Sequence, residues 1–181
     1  MGALLIATRQ VLQKEFNLDH NSIEVGFDGQ PKPSAGEFFA SIHPMNWTFP
    51  NGDWDLHEDN TIGVTLTLRL GFSPQDRFAV AVWLFETNGM EPRIRRVITA
   101  IHHNQALRSA ANELISGGAS GKIFTPLQVI RVENPKPQGP AWFNASPPEH
   151  IDHYSPPPPC GVSQTVVFGK AQRCQPVDDM D

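Results

Sequence analysis

The sequence predicts an α+β domain with a small, mixed and mostly antiparallel sheet of about four to five strands. The second half of residues 60–72 alternates between apolar and polar residues, so that Val64 and Leu66 share one face, as in a strand with one side on a core. Residues 3–16 and 91–114 repeat apolar side chains at helical spacing. We therefore expect an N-terminal helix and a central helical segment to flank the sheet.

Length and composition limit the number of domains and the kinds of partner that the chain can have. The 181 residues fit one core, which we assign to residues 1–134 with 160–175. Residues 135–159 are predicted to form an extended arm or loop, and residues 176–181 an acidic tail. The formal net charge of −5 gives no basic footprint of the kind that non-specific phosphate binding requires, so tight binding of nucleic acid is not expected.

The first third of the chain yields three strands. Helix 3–16 is followed by short strand 23–27 and by strand 37–43, which Pro44 is expected to end because proline cannot donate to a ladder. The central strand, 60–72, turns its threonine face towards water or a partner.

Residues 73–86 support two readings. Residues 77–84 alternate as in a strand, whereas Ser73 and Pro74 resemble a helix cap with proline in the first turn. We predict a helix.

The helical segment 91–114 loses its period at His102, His103 and Asn104, where either one long helix bends or two helices meet. Adjacent helical residues point about 100° apart and cannot share one metal ion, so we interpret the histidine pair as surface or interface residues.

The loop 44–59 combines aromatic and acidic side chains. Trp47, Phe49 and Trp54 must lie on the core or on a neighbouring molecule, because large aromatic side chains are unfavourable in water. Its polar side chains could be read as metal ligands, but they lack the spacing of a calcium loop or a zinc hydrolase. We predict a solvated acidic hairpin tip and no metal site. The polar residues in question are Asp53, Asp55, His57, Glu58 and Asp59.

The C-terminal third alternates strands with extended chain. After the flexible linker 116–121, residues 123–132 are predicted to form a strand, with Ile130 and Val132 facing the core. The extended segment 134–143 ends in Trp142 and Phe143.

Residues 146–159 are proline-rich and predict semi-rigid polyproline, before a last strand at 163–168. A strand that returns after such a segment implies an arm outside the core, which we expect to reach a neighbouring subunit. For Trp142 we favour a subunit interface over the chain's own core. Cys160 and Cys174 are predicted to be free thiols.

The order of elements resembles a family of tailed-bacteriophage structural proteins from the head-to-tail junction and upper tail. The resemblance extends over most of residues 4–173. Its most recognisable pieces are VGFDGQPKPSAGEFFASIHP at 25–44, IGVTLTLRL at 62–70 and KPQGPAWF at 136–143. The helix followed by a mixed sheet and a second helical segment is also similar in order to the tail-terminator fold of long-tailed phages. This chain is longer than that pattern after residue 134.

The resemblance implies a structural virion protein rather than an enzyme, with no catalytic residues, cofactor or metal. It implies a hexameric ring that terminates the tail tube, contacts the tube protein and the neck or connector proteins, and lets DNA pass through its lumen without specific binding. Another neck ring or adaptor is the alternative. The implied location is the virion tail or neck, assembled in the host cytoplasm.

Two rival classes remain open at this point. One is a small metal-dependent hydrolase that uses Asp53, Asp55, His57 and His43. The other is a monomeric adaptor whose proline segment binds an aromatic groove. The apolar run at residues 3–7 lacks the basic flank of a signal peptide, and we expect neither export nor membrane insertion.

Overall fold

The computed structural model describes residues 1–26, 38–46, 61–70, 77–114, 126–138 and 161–170, and these form a mixed α+β fold with one sheet. The predicted fold class is therefore confirmed. The helices are α1 (Gly2–Phe16), α2 (Arg77–Phe85), α3 (Met90–Ile101) and α4 (Gln105–Glu113). The strands are β1 (Ile23–Val25), β2 (Phe38–Asn46), β3 (Thr61–Arg69), β4 (Leu127–Val132), β5 (Lys136–Gln138) and β6 (Gly161–Lys170).

The sheet runs in the order β1-β2-β3-β6-β4, with β5 also paired to β6. Only β1, beside β2, pairs in parallel; the other described pairs are antiparallel. Strands β4 and β5 lie beside the two halves of β6, so that together they form one interrupted edge strand. The central position predicted for the alternating stretch is confirmed, because β3 lies between β2 and β6.

One face of the sheet carries the hydrophobic core together with the helices. Side chains from β3 that face the helices, such as Val64 and Leu66, are fully buried. The residues paired with them on β2 and β6 are also apolar, except Gln164 opposite Leu66. The apolar stripes of α1, α3 and α4 complete the same cluster. The helix contribution comes from Leu4, Leu5, Ala7, Leu12, Met90, Ile94, Val97, Ile101, Leu107 and Ala111.

Pro44 does not end β2, contrary to the sequence prediction, because β2 continues to Asn46. The backbone groups of Ala40 and Ile42 bond towards β1, so the nitrogen of Pro44 points to the same side. Strand β1 pairs no further than Ile42, and no described strand needs a donor from Pro44. The proline therefore sits where its missing N–H breaks no ladder bond.

The central part of the chain, residues 77–113, forms three helices. Residues 77–85 form a helix rather than a strand, as predicted, and two helices meet at 102–104 rather than one long helix bending. Asn104 caps α4, since its side chain accepts a hydrogen bond of 3.0 Å from the backbone N–H of Leu107. His103, with φ of 53°, is in the left-handed region and lies in the turn between α3 and α4.

Two predictions about the strands change. Ile130 and Val132 were expected on the core face, but they are 47% and 40% exposed, because β4 is an edge strand with an irregularity between Val129 and Arg131. Residues 136–138, assigned to the arm, pair with β6. The last strand is confirmed and is longer than predicted, at Gly161–Lys170.

Candidate interaction surfaces

The second face of the sheet is polar and also buried, which differs from the prediction that it would meet water or a partner. We call this surface the hydroxyl face. The described helices pack on the other side. Its buried members are Phe39, Ser41, His43, Thr65, Thr67, Ser163 and Val167.

Hydrogen bonds across neighbouring strands satisfy part of the hydroxyl face. The hydroxyl oxygens of Thr65 and Thr165 lie 2.8 Å apart, and the amide of Gln138 donates to the hydroxyl of Ser163. The hydroxyl groups of Ser41 and Thr67 are also buried, and neither has a hydrogen-bond partner among the described residues.

His43, a ligand in the rival hydrolase reading, lies on the hydroxyl face and is buried. Its Nε2 lies 3.2 Å from the sulfur of Met45, and its ring packs over the backbone of Gly63. A Cβ atom at position 63 would approach Nε2 to 2.6 Å, so the glycine is what leaves room for the imidazole. The imidazole therefore packs against Gly63 and Met45.

His102 and His103 link the helices to the edge strand. The backbone N–H of Val129 donates to Nδ1 of His102 over 3.2 Å, and the backbone N–H of His103 donates to the carbonyl of Leu127 over 2.7 Å. Both histidine side chains are exposed, as predicted for surface residues. The turn between α3 and α4 thus satisfies two backbone groups on the side of β4 that faces away from β6. Past Val129, no described strand covers that side.

Arginine side chains of α3 cover aromatic rings where α1, α3 and the start of β2 meet. The guanidinium of Arg96 lies 4.5 Å from the ring centre of Phe16, and that of Arg93 lies 5.3 Å from the ring centre of Phe38. The two rings are themselves 5.2 Å apart. Cation–π contacts of this kind fix the end of α1 against α3.

The arginines of α3 differ in whether a carboxylate pairs with their charge. Arg96 pairs with Glu15 at 3.0 Å, and Arg95 pairs with Glu91 one helical turn earlier. Arg93 instead donates to the backbone carbonyls of the turn at 88–89, and no described carboxylate pairs with it. Burial, together with the positive charge of Arg96, lowers the pKa of Arg93.

Helix α2, which packs beside α3, exposes an apolar face. Val82 is 43% exposed and Phe85 is 71% exposed, the highest value among the exposed large apolar side chains of the described residues. We call Ala81, Val82 and Phe85 the α2 apolar face. Sequence reasoning missed it, although the signal was available: after Arg77, α2 contains no charged residue, which is unusual for a helix at a protein surface.

Charge is segregated between the described residues and the rest of the chain. The described residues hold eleven Lys and Arg against seven Asp and Glu, a formal net charge of +4. The other residues hold three against twelve, a net charge of −9, which together give the −5 of the whole chain. The described part of the chain is therefore basic, although the whole protein is acidic.

Several residues singled out in the sequence lie outside the described residues. These are Trp47, Phe49, Asp53, Trp54, Asp55, His57, Glu58, Asp59, Trp142, Phe143, Cys160 and Cys174. Within the described ranges, no three His, Cys, Asp or Glu side chains are grouped as a metal ion would require. None of the helices in those ranges is long and apolar enough to cross a membrane.

Comparison with known proteins leaves the chain without an assigned family. No protein-family model matches the sequence, and no curated protein matches it significantly.

Proposed function

We propose that this chain is a structural subunit of a long-tailed bacteriophage virion, forming a hexameric ring that terminates the tail tube and joins it to the neck. The ring leaves a channel through which DNA passes without specific binding. Its partners are further copies of itself, the tail tube protein and the neck or connector proteins. The subunit acts by assembly and carries out no reaction.

The observation that carries the proposal is the presence of exposed apolar side chains at both opposite edges of the sheet. Val25 lies on β1 at one edge, and Ile130 and Val132 lie on β4 at the other. A closed ring needs a head-to-tail interface in which two different surfaces of each subunit meet. Edge strands with exposed apolar side chains favour pairing with another chain. Two unlike edges of this kind suit a subunit with one neighbour on each side.

The order of elements supports the phage assignment. An N-terminal helix, a mixed sheet and a central helical segment are the features for which the sequence resembles the tail-terminator fold, and the described fold has the same order. The charge distribution agrees with a DNA channel, provided that the acidic segments face the lumen, because like charge keeps the polymer from adhering.

The experiment is to ask whether the protein is part of the particle. Particles are purified from a lysate of the phage that encodes the chain, and the protein is detected by mass spectrometry and located by immunogold electron microscopy. We expect labelling at the head-to-tail junction. Absence of the protein from purified particles would overturn the proposal.

Edge variants test the head-to-tail arrangement in the same particles. Val25→Lys and Ile130→Lys each place a charge on one edge, and each variant should fold normally yet fail to enter particles. Gln10→Lys, an exposed position on α1, is the matched control and should enter particles as the wild type does. Normal incorporation of both edge variants would show that the edges are not the interface.

A further inference from the structure

The hairpin formed by α2 and α3, residues 77–101, presents an exposed surface of mixed chemistry. Val82 and Phe85 are apolar and exposed, and Arg95 on α3 is exposed over 78% of its side chain. The hairpin carries four arginines and two glutamates, a formal net charge of +2. Such a surface fits a ligand that is both aromatic and acidic.

One segment of the chain has the complementary composition. Residues 47–59 contain Trp47, Phe49 and Trp54 together with four acidic residues, and they contain no lysine or arginine. Aromatic side chains can cover the α2 apolar face while the carboxylates lie near the arginines. We propose that the α2–α3 hairpin is the docking site for residues 47–59 of a second copy of this chain.

The geometry of the sheet favours a second copy over the chain's own segment. Arg93 contacts Phe38, so the turn between α2 and α3 lies at the end of the sheet where β2 begins. Residues 47–60 leave from Asn46 and return at Thr61, which are paired at the opposite end of the sheet. Eight residue steps along β2 separate the two ends by roughly 26 Å. Trp47 and Phe49 follow Asn46 by only one and three residues, so even a fully extended backbone keeps them within about 4 and 11 Å of Asn46, well short of the turn.

This inference rests on the proposed function and deepens it. In a head-to-tail ring, consecutive copies bring unlike surfaces together, so a segment at one end of a subunit can meet the hairpin of the next. The contact would add to the edge contacts of the strands. It also gives the basic hairpin and the acidic segment a common role.

Cross-linking between two distinguishable copies tests the contact. Both copies carry Cys160→Ser and Cys174→Ser; one also carries Ala81→Cys on the α2 apolar face, and the other carries Asn51→Cys and a mass tag. The copies are mixed and treated with a short bis-maleimide, and the linked heterodimer is quantified by mass spectrometry. We expect a yield about tenfold above that of a control pair with Gln10→Cys in place of Ala81→Cys.

Further variants test the chemistry of the contact. Phe85→Ser should lower the heterodimer yield about tenfold, whereas Ile6→Ser, which removes a comparably exposed apolar side chain from α1, should leave it unchanged. Arg95→Glu should also lower the yield, and Asp55→Arg in the partner copy should restore it, since the charges are then exchanged.

Three results would overturn the inference. The heterodimer yield could equal that of the control pair. A single chain carrying both cysteines could link only within itself, which would show that its own segment occupies the surface. Ala81→Cys could link to Trp142→Cys of the second copy in preference to Asn51→Cys, which would make the proline-rich arm the occupant.

The particle experiment separates the two proposals: if the protein is present in particles but the cross-link is absent, only this inference fails. If the cross-link forms but the protein is absent from particles, only the proposed function fails.

Discussion

Gly63→Ala tests how the hydroxyl face is packed. The added Cβ would lie 2.6 Å from Nε2 and 2.9 Å from Cε1 of His43, and 2.9 Å from Cγ of Met45. His43 is buried and has little room to move, so the expected overpacking costs about 1–3 kcal/mol. Replacing glycine by alanine also restricts the conformations of the unfolded chain, and this stabilisation of about 0.4–1 kcal/mol offsets part of the overpacking cost. We expect a net loss of about 1–2 kcal/mol in the free energy of unfolding.

The assay is thermal and urea unfolding followed by circular dichroism. For a chain of this size, the expected loss lowers the melting temperature by about 2–8 °C. Gly2→Ala is the control, because no heavy atom lies within 4 Å of the Cβ it would add. In a double-mutant cycle, His43→Ala should remove part of the effect of Gly63→Ala, since the imidazole is the main obstacle. If Gly63→Ala is as stable as the wild type, or if the two changes are additive, the packing argument is wrong.

Four further predictions concern the helix cap, an ion pair and the C-terminal arm. Asn104→Ala should lower the free energy of unfolding by about 1 kcal/mol through loss of the cap on the N–H of Leu107, whereas Asn104→Asp, which keeps the acceptor, should lower it less. A hydrogen bond from a neighbouring lysine ammonium lowers the pKa of Glu133, so its contribution to stability is present above the carboxyl's unfolded pKa and is lost as pH falls through the lowered value. Urea unfolding from pH 7 to pH 2 should therefore show Glu133→Gln to be less stable than the wild type at neutral pH and equal to it at the acid end. Deleting residues 146–159 should leave the melting temperature nearly unchanged and reduce incorporation into particles; full incorporation would argue against an assembly arm. Trp142→Ala should weaken subunit association by about 2–4 kcal/mol while the monomer's melting temperature changes little, and a large fall in that temperature would instead place the side chain on its own core.

Local patterns in the sequence were sufficient to predict the class of fold. The alternation in β3 and the helical spacing in α1 and α3 depend only on neighbouring residues, and those predictions are confirmed. The surroundings of each strand depend on distant residues. Thr65 bonds to Thr165, one hundred residues away, and alternation looks the same whether the polar face meets water or a hydroxyl group.

The same reasoning explains the errors over Pro44 and Ile130. Proline is excluded from a strand only where its nitrogen faces a partner, and the side facing β1 has no described partner at Pro44, because β1 pairs only as far as Ile42. An apolar residue in an alternating strand is buried only where another element covers it, and β4 is at the edge of the sheet. Neither fact can be read from the residues around these positions.

Burial of both sheet faces limits which surfaces of this chain can contact another molecule. The helices cover one face, and the hydroxyl face is already withdrawn from solvent within the single chain. Within the described residues, this leaves the strand edges, the ends of the sheet and the outer surface of the helices for contacts. Exposed apolar side chains occur on edge strands β1 and β4 and on α2. The proposed head-to-tail ring requires unlike surfaces of this kind on each subunit, whereas a twofold dimer pairs one surface with itself.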